Sequence, residues 1–311
     1  MKVATIDIGT NTVLLLIAER PAGESMHAVR ERAKITRLGE GVDRMRRFSP
    51  EAISRTFECL EDYARVVHEL GVERVAVVGT SAMRDAAGGE EIQRRIRELF
   101  GVDARVLSGM EEARLTFRGA VSGLAFDEPA EIAVFDIGGG STEVIIGRID
   151  GGEARVVFSA SYDVGSVRLT ERLLAHDPPT KAERDALREA GKDAFARVPP
   201  LHEVNSAKSA PIGVAGTMTT LASVSLGLVP YDGARVQGHT MLVSELREVV
   251  EQLASMNLET RKRVPGMEPK RADVIIAGGS LALALLDHWQ ARCTRISDRG
   301  VRWGLAEELF C

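Results

Sequence analysis

The chain is poor in cysteine and lacks any excess of charge, and each shortage removes a class of protein. Its 311 residues include only three cysteines, Cys59, Cys293 and Cys311. They lie far apart, without metal-site spacing or an even count, so neither a disulfide framework nor a cysteine metal site is expected and a reducing compartment is. No run of 18 or more uncharged apolar residues occurs, which excludes a transmembrane helix. The opening run MKVATIDIGTNTVLLLIAE is broken by Asp7 and by Thr10-Asn11-Thr12, so a signal peptide is not expected. Forty Lys and Arg stand against 45 Asp and Glu, a net charge of −5. The balance holds along the chain, with 19 basic and 19 acidic residues before position 120 and 21 and 26 after it. Neither a basic field for nucleic acid nor a charged tail exists. With 44% hydrophobic and 27% charged residues, the composition is that of a globular cytoplasmic protein.

What the sequence does contain is a duplicated pattern. Val3-Ala-Thr-Ile-Asp7-Ile-Gly9-Thr10-Asn11-Thr12 and Ala133-Val-Phe-Asp136-Ile-Gly138-Gly-Gly-Ser141-Thr142 both run from apolar residues through Asp-Ile-Gly to small polar residues and a second apolar run. Each reads as strand, tight turn, strand. The two Asp residues are 129 positions apart, the length of a small domain, so two similarly opened domains are expected, at 1–126 plus 301–311 and at 127–300. Between the hairpins, Arg30 to Arg47 is a basic stretch of seven Lys or Arg and three acids. Ser49-Pro50-Glu51 then starts a helix, and strands at 75–79 and 104–107 alternate with helices at 90–100 and 110–121. The second half expects strands at 131–136, 143–149, 154–160, 212–215 and 293–297. Its helices are expected at 165–175, 180–196, 217–226, 244–255, 271–289 and 301–310. The alternation specifies an α/β class.

Two Asp-Ile-Gly turns bring carboxylates and turn amides together, a combination suited to a divalent cation and phosphate oxygens. If the second turn folds back as a hairpin, Asp136 and Glu143 point toward the same metal or water; otherwise Glu143 is a solvent-facing strand residue. His239, and the two tryptophans Trp289 and Trp303, read as structural. The Arg30 to Arg47 stretch is either a solvated face or a polyanion contact.

These turns resemble a known family when read with Thr80-Ser81-Ala82-Met83-Arg84, Ser108-Gly109-Met110-Glu111-Glu112-Ala113-Arg114, Gly216-Thr217 and Pro269-Lys-Arg-Ala-Asp273. Together they are similar to the exopolyphosphatase and guanosine pentaphosphate phosphohydrolase family, in its short form. The resemblance implies two actin-like (ribonuclease H-like, ASKHA) domains with an interdomain cleft. It implies Glu112 as the catalytic carboxylate and Asp136, Glu143 and Asp7 as carboxylates for Mg²⁺ or Mn²⁺. Phosphate binding falls to Gly9, Thr10, Asn11, Arg84, Gly138, Gly139, Gly140, Ser141, Gly216 and Thr217, and Asp298, Arg299 and Arg302 are further cleft candidates. The implied reaction is release of a terminal phosphate from polyphosphate or guanosine pentaphosphate, with no nucleic-acid or membrane partner and with homodimers common among relatives. The alternatives are a small-molecule kinase of the same fold, a non-catalytic sensor of polyphosphate or alarmone, and a filament-forming actin relative. Lys208, Lys270 and Arg271 are the other basic residues available to a long polyanion.

Overall fold

The computed structural model describes residues 1–21, 23–151, 153–201 and 210–310. Two compact units divide the chain, Met1–Gly119 with Val301–Cys311, and Ala120–Gly300. The first ends at Gly119 rather than at residue 126. Arg295 donates to the Ala125 carbonyl at 3.1 Å and stands 5.4 Å from the Phe126 ring centroid, which ties the intervening residues to the second unit.

In the first unit, β1 (Lys2–Ile8), β2 (Thr12–Glu19) and β3 (His27–Ile35) form an antiparallel meander. The short helix α1 (Val42–Met45) and the long α2 (Pro50–Glu69) follow, the latter capped by the Ser49 side chain. β4 (Arg74–Gly79) pairs parallel to β1; α3 (Ser81–Asp85) and α4 (Gly89–Phe100) precede β5 (Ala104–Val106), and α5 (Gly109–Val121) comes next. The sheet order is β3-β2-β1-β4-β5. Alternation along β1 decides which side covers which face. Ala4, Ile6 and Ile8 pack with Leu60, Tyr63, Ile92 and Ile96 of α2 and α4. Val3 packs on the other face against Trp303 and Ala306, where the Thr5 hydroxyl donates to the Arg302 carbonyl. Burial of both faces explains the near-continuous apolar reading of β1 and β2.

The basic stretch from Arg30 contains an unforeseen strand. β3 is the sheet edge and mostly exposed, so its pattern has no buried stripe, and its charges at Arg30, Glu31 and Arg32 discourage pairing with another chain.

The second unit repeats the plan with β6 (Ala130–Ile137), β7 (Thr142–Asp150), β8 (Glu153–Tyr162), α6 (Ser166–Leu173), α7 (Lys181–Phe195), β9 (Ile212–Val214) and α8 (Ala215–Ser225). Then come α9 (Gly233–Val236), β10 (Thr240–Leu242), α10 (Val243–Ala254), α11 (Leu258–Arg261), a 3₁₀ turn (Pro269–Arg271), α12 (Ile275–His288) and β11 (Cys293–Ile296). The sheet runs β8-β7-β6-β9-β11-β10, the first unit's order with one strand added. Chain end α13 (Val301–Phe310) returns to the first unit. The helix expected from 271 starts at Ile275, because Pro269 opens a separate 3₁₀ turn. Trp289 and Trp303 are buried, and Trp289 donates to the Pro199 carbonyl at 3.1 Å. Cys59 and Cys293 are buried free thiols, and Cys311 lies outside the described residues.

Candidate active site

The duplicated motif is a duplicated structure. In each hairpin the first glycine donates to the residue three ahead, Gly9 N–H to the Thr12 carbonyl and Gly138 N–H to the Ser141 carbonyl, both at 3.0 Å. A Cβ on Gly9 would meet the Thr12 oxygen at 2.9 Å and one on Gly138 the Ser141 oxygen at 3.1 Å. The turn carbonyls are then pinned from one side. Those of Thr10 and Asn11 accept from Gly39, Thr36 and Arg37; those of Gly138 and Gly139 accept from Ser166, Val167 and Arg168 at the start of α6. The Arg168 Nε also donates to the Gly140 carbonyl at 2.7 Å. A trans peptide directs its N–H opposite to its carbonyl. The amides of Asn11 and Thr12, and of Gly139, Gly140 and Ser141, therefore turn away from those clamps, which forms an amide edge for anionic oxygens in each unit.

The neighbouring strand-to-helix junctions brace both hairpins. Thr80 N–H donates to the Ile8 carbonyl at 3.2 Å, and the Thr217 hydroxyl donates to the Ile137 carbonyl at 2.8 Å. Thr10 and Ser81 hydroxyls meet at 2.8 Å. Thr217 thus spends its hydroxyl proton on the fold, and what it offers an anion is its backbone amide at the start of α8. Gly216 lies under the Arg271 guanidinium, which a Cβ would meet at 2.1 Å. Burial works against the Arg271 charge, while Glu268, Asp136 and Tyr231 favour it. Nothing in the spacing of Pro269 to Asp273 showed that Arg271 would cover Gly216.

The carboxylates divide unequally. Asp136 and Glu143 are directly opposed across β6 and β7. Phe135, Ile137 and Val144 face the core, so the two acids share the other face. Glu143 is 1% exposed and accepts from the Ser161 hydroxyl at 2.7 Å, which rules out a solvent-facing strand residue. In the first unit the matching partner of Asp7 is Leu14. Asp7 is buried beside Arg302, its Oδ1 has no hydrogen-bond partner, and neither has the Asn11 Nδ2. Burial pushes the Asp7 carboxyl up to about 7, against the opposing pull of Arg302. Arg302 itself donates to Glu31 at 2.5 Å. In the second unit the Asp298 amide donates to the Gln237 side chain and Arg299 to the Ser122 hydroxyl.

Glu112 sits one turn into α5 and is 6% exposed. Arg84 donates to its Oε2 at 2.6 Å and to the Leu107 carbonyl at 2.8 Å, fixing the carboxylate's direction. Its neighbour Glu111 has a different task. The Ser108 amide and hydroxyl bind Glu111 Oε2 at 2.9 and 2.8 Å, a capping box that holds its carboxyl below the usual range.

Asp136 and Glu143 of the second unit fit a hard cation, since two opposed carboxylates repel unless a proton or cation lies between them. Asp7 of the first unit is, by itself, a buried carboxylate whose Oδ1 has no donor. Among the described residues no three His, Cys, Asp or Glu converge, so water and substrate oxygens would complete the shell, as Mg²⁺ permits. Within those residues, too, no helix is long and apolar enough to cross a membrane.

A model of the Ppx/GppA phosphatase family matches residues 16–309. The chain is 40% identical over 294 residues to exopolyphosphatase 2 of Mycobacterium tuberculosis, covering 91% of this chain and 88% of that one. Among solved structures, an exopolyphosphatase-like protein matches at TM-score 0.87 and 34% identity, over 99% of this chain and 98% of that one. The Aquifex aeolicus PPX-GPPA enzyme matches at TM-score 0.80 and 33% identity, covering 99% of each. The fold is accordingly the two-domain, actin-like α/β class that the sequence implied.

Proposed function

The chain belongs to the Ppx/GppA phosphatase family, and from that premise we propose that it is a phosphoanhydride hydrolase releasing the terminal phosphate of inorganic polyphosphate. The observation that carries this reading is the pair of matching hairpins with outward amide edges, joined in the sequence by one buried, rigidly held carboxylate. Phosphoryl transfer to water asks for positioning and charge neutralisation rather than covalent chemistry. The amides of 11–12 and 139–141 supply donors to phosphate oxygens. Glu112 orients the attacking water and takes its proton, and Arg84 keeps that carboxylate aimed. Asp136 and Glu143 are the residues that would hold Mg²⁺ or Mn²⁺, and the resemblance adds Asp7. When bound, the cation neutralises charge on the transferring phosphate.

Guanosine pentaphosphate carries the same terminal phosphoanhydride and is proposed as a second substrate. A cytoplasmic setting is supported by the two buried free thiols, and a homodimer is proposed from the resemblance. The test is phosphate release from polyphosphate and guanosine pentaphosphate, first in EDTA and then with Mg²⁺ restored. Release that depends on the added cation supports the reading, while full activity in demetallated protein contradicts the metal assignment.

A further inference from the structure

The basic stretch of the first unit separates into two parts with different settings. Arg30, Arg32 and Lys34 belong to the edge strand β3, where Lys34 pairs with Asp62 and neighbouring Glu31 with Arg302. The remaining arginines, Arg37, Arg44, Arg46 and Arg47, occupy α1 and its flanking turns. This segment is fastened at both ends to elements of the candidate site. At one end, Gly39 N–H donates to the Thr10 carbonyl at 2.8 Å, and those of Thr36 and Arg37 to the Asn11 carbonyl at 3.1 and 3.0 Å. At the other, Ala87 N–H donates to the Arg46 carbonyl at 2.9 Å, and Arg47 bridges to Ala87, two residues beyond the helix that carries Arg84. The Thr10–Ser81 hydroxyl contact closes the ring. A border of arginines therefore runs from the Thr10-Asn11 turn to the Arg84 helix.

Two further features mark this border. Arg37 and Arg46 have φ of 52° and 55°, left-handed positions that glycine fills with less strain, yet both carry arginine. Arg44, Arg46 and Arg47 are exposed and form no ion pair among the described residues. Glu40, an acid of the same segment, is occupied by Arg55, which also grips the Thr36 carbonyl at 2.7 Å.

We propose that Arg44, Arg46 and Arg47 form a binding rim for the internal phosphates of a polyphosphate chain whose terminal phosphate occupies the neighbouring site. The proposal rests on the phosphohydrolase reading and adds where the rest of the substrate lies. Lys208 lies outside the described residues and has no part in it.

The experiment compares the full-length protein with Arg44→Glu/Arg46→Glu/Arg47→Glu, and with Arg94→Glu on α4 as a remote charge control. Equilibrium binding and kcat/KM are measured for tripolyphosphate and for a medium-chain polyphosphate across a salt series. The expected result is a fall of about tenfold or more in the ratio of medium-chain to tripolyphosphate kcat/KM. The slope of log affinity against log salt should flatten by about 2, while the control keeps both. A second variant, Arg46→Gly, removes one guanidinium and relieves its backbone, so its Tm should hold or rise as medium-chain affinity drops. An unchanged ratio in the triple variant, or an equal fall for both substrates, overturns the rim. Loss of medium-chain binding in a protein that hydrolyses neither substrate upholds the rim and overturns the hydrolase reading instead.

Discussion

Glu112 and Asp7 are both buried acids of the first unit, and their surroundings assign them opposite behaviour. Glu112 accepts a charge-assisted bond from Arg84 that fixes its direction. Glu112→Gln preserves shape and removes the proton acceptor. Turnover should fall by roughly 10²-fold or more with folding and substrate binding kept, and near-normal turnover of the purified variant would remove the role. Asp7 has one unpartnered oxygen and a carboxyl raised to about 7 from an ordinary 3.8. Between those values the folded chain binds more protons than the unfolded one, so Asp7 makes stability fall as pH rises from about 4 to 7. In chelated protein, Asp7→Asn should raise Tm at pH 8 and lose that advantage near pH 4. An equal effect at both pH values would show that Asp7 is not protonated in the fold.

At the scale of elements, the hairpin of 138–141 depends on how closely α6 approaches it. A Cβ on Gly165 would stand 2.5 Å from the Gly139 carbonyl oxygen and 2.7 Å from the Gly140 carbonyl carbon, which are backbone atoms that cannot step aside. Gly165→Ala should therefore displace the turn and depress activity about tenfold or more, with a Tm loss of several degrees. Wild-type kinetics and Tm together would show that the clamp is dispensable. The turns, most helices and the buried strands were legible because Gly, Pro and apolar runs mark them locally. Strand β3 was not, since an edge strand exposed on both faces leaves no period to read. The facing of Asp136 and Glu143 was expected if the second turn folded back as a hairpin, which it does; that Leu14 stands opposite Asp7 came only from the register. Contacts such as Ser161 with Glu143, or Arg271 over Gly216, join segments distant in the chain, and no local pattern encodes them.

For the whole molecule, the net charge of −5 sets how long a polyanion can be held. Each retained phosphate needs a cationic contact, and salt weakens every one. With only Arg44, Arg46 and Arg47 proposed to hold the chain beyond its terminal phosphate, long polyphosphate should dissociate between cleavages. Limited digestion should shorten the whole population gradually on a gel; intact long chains beside free phosphate would indicate processive action. The same two-unit plan also serves kinases, so the identity of the acceptor decides the central claim. Reaction with medium-chain polyphosphate and Mg²⁺ in ¹⁸O-labelled water, followed by mass analysis of the released phosphate, reads that acceptor directly. Water attack at the terminal phosphorus, guided by Glu112, predicts one ¹⁸O in each released phosphate and its loss with Glu112→Gln. Unlabelled phosphate, or phosphate transferred to an added alcohol with none released, would contradict it.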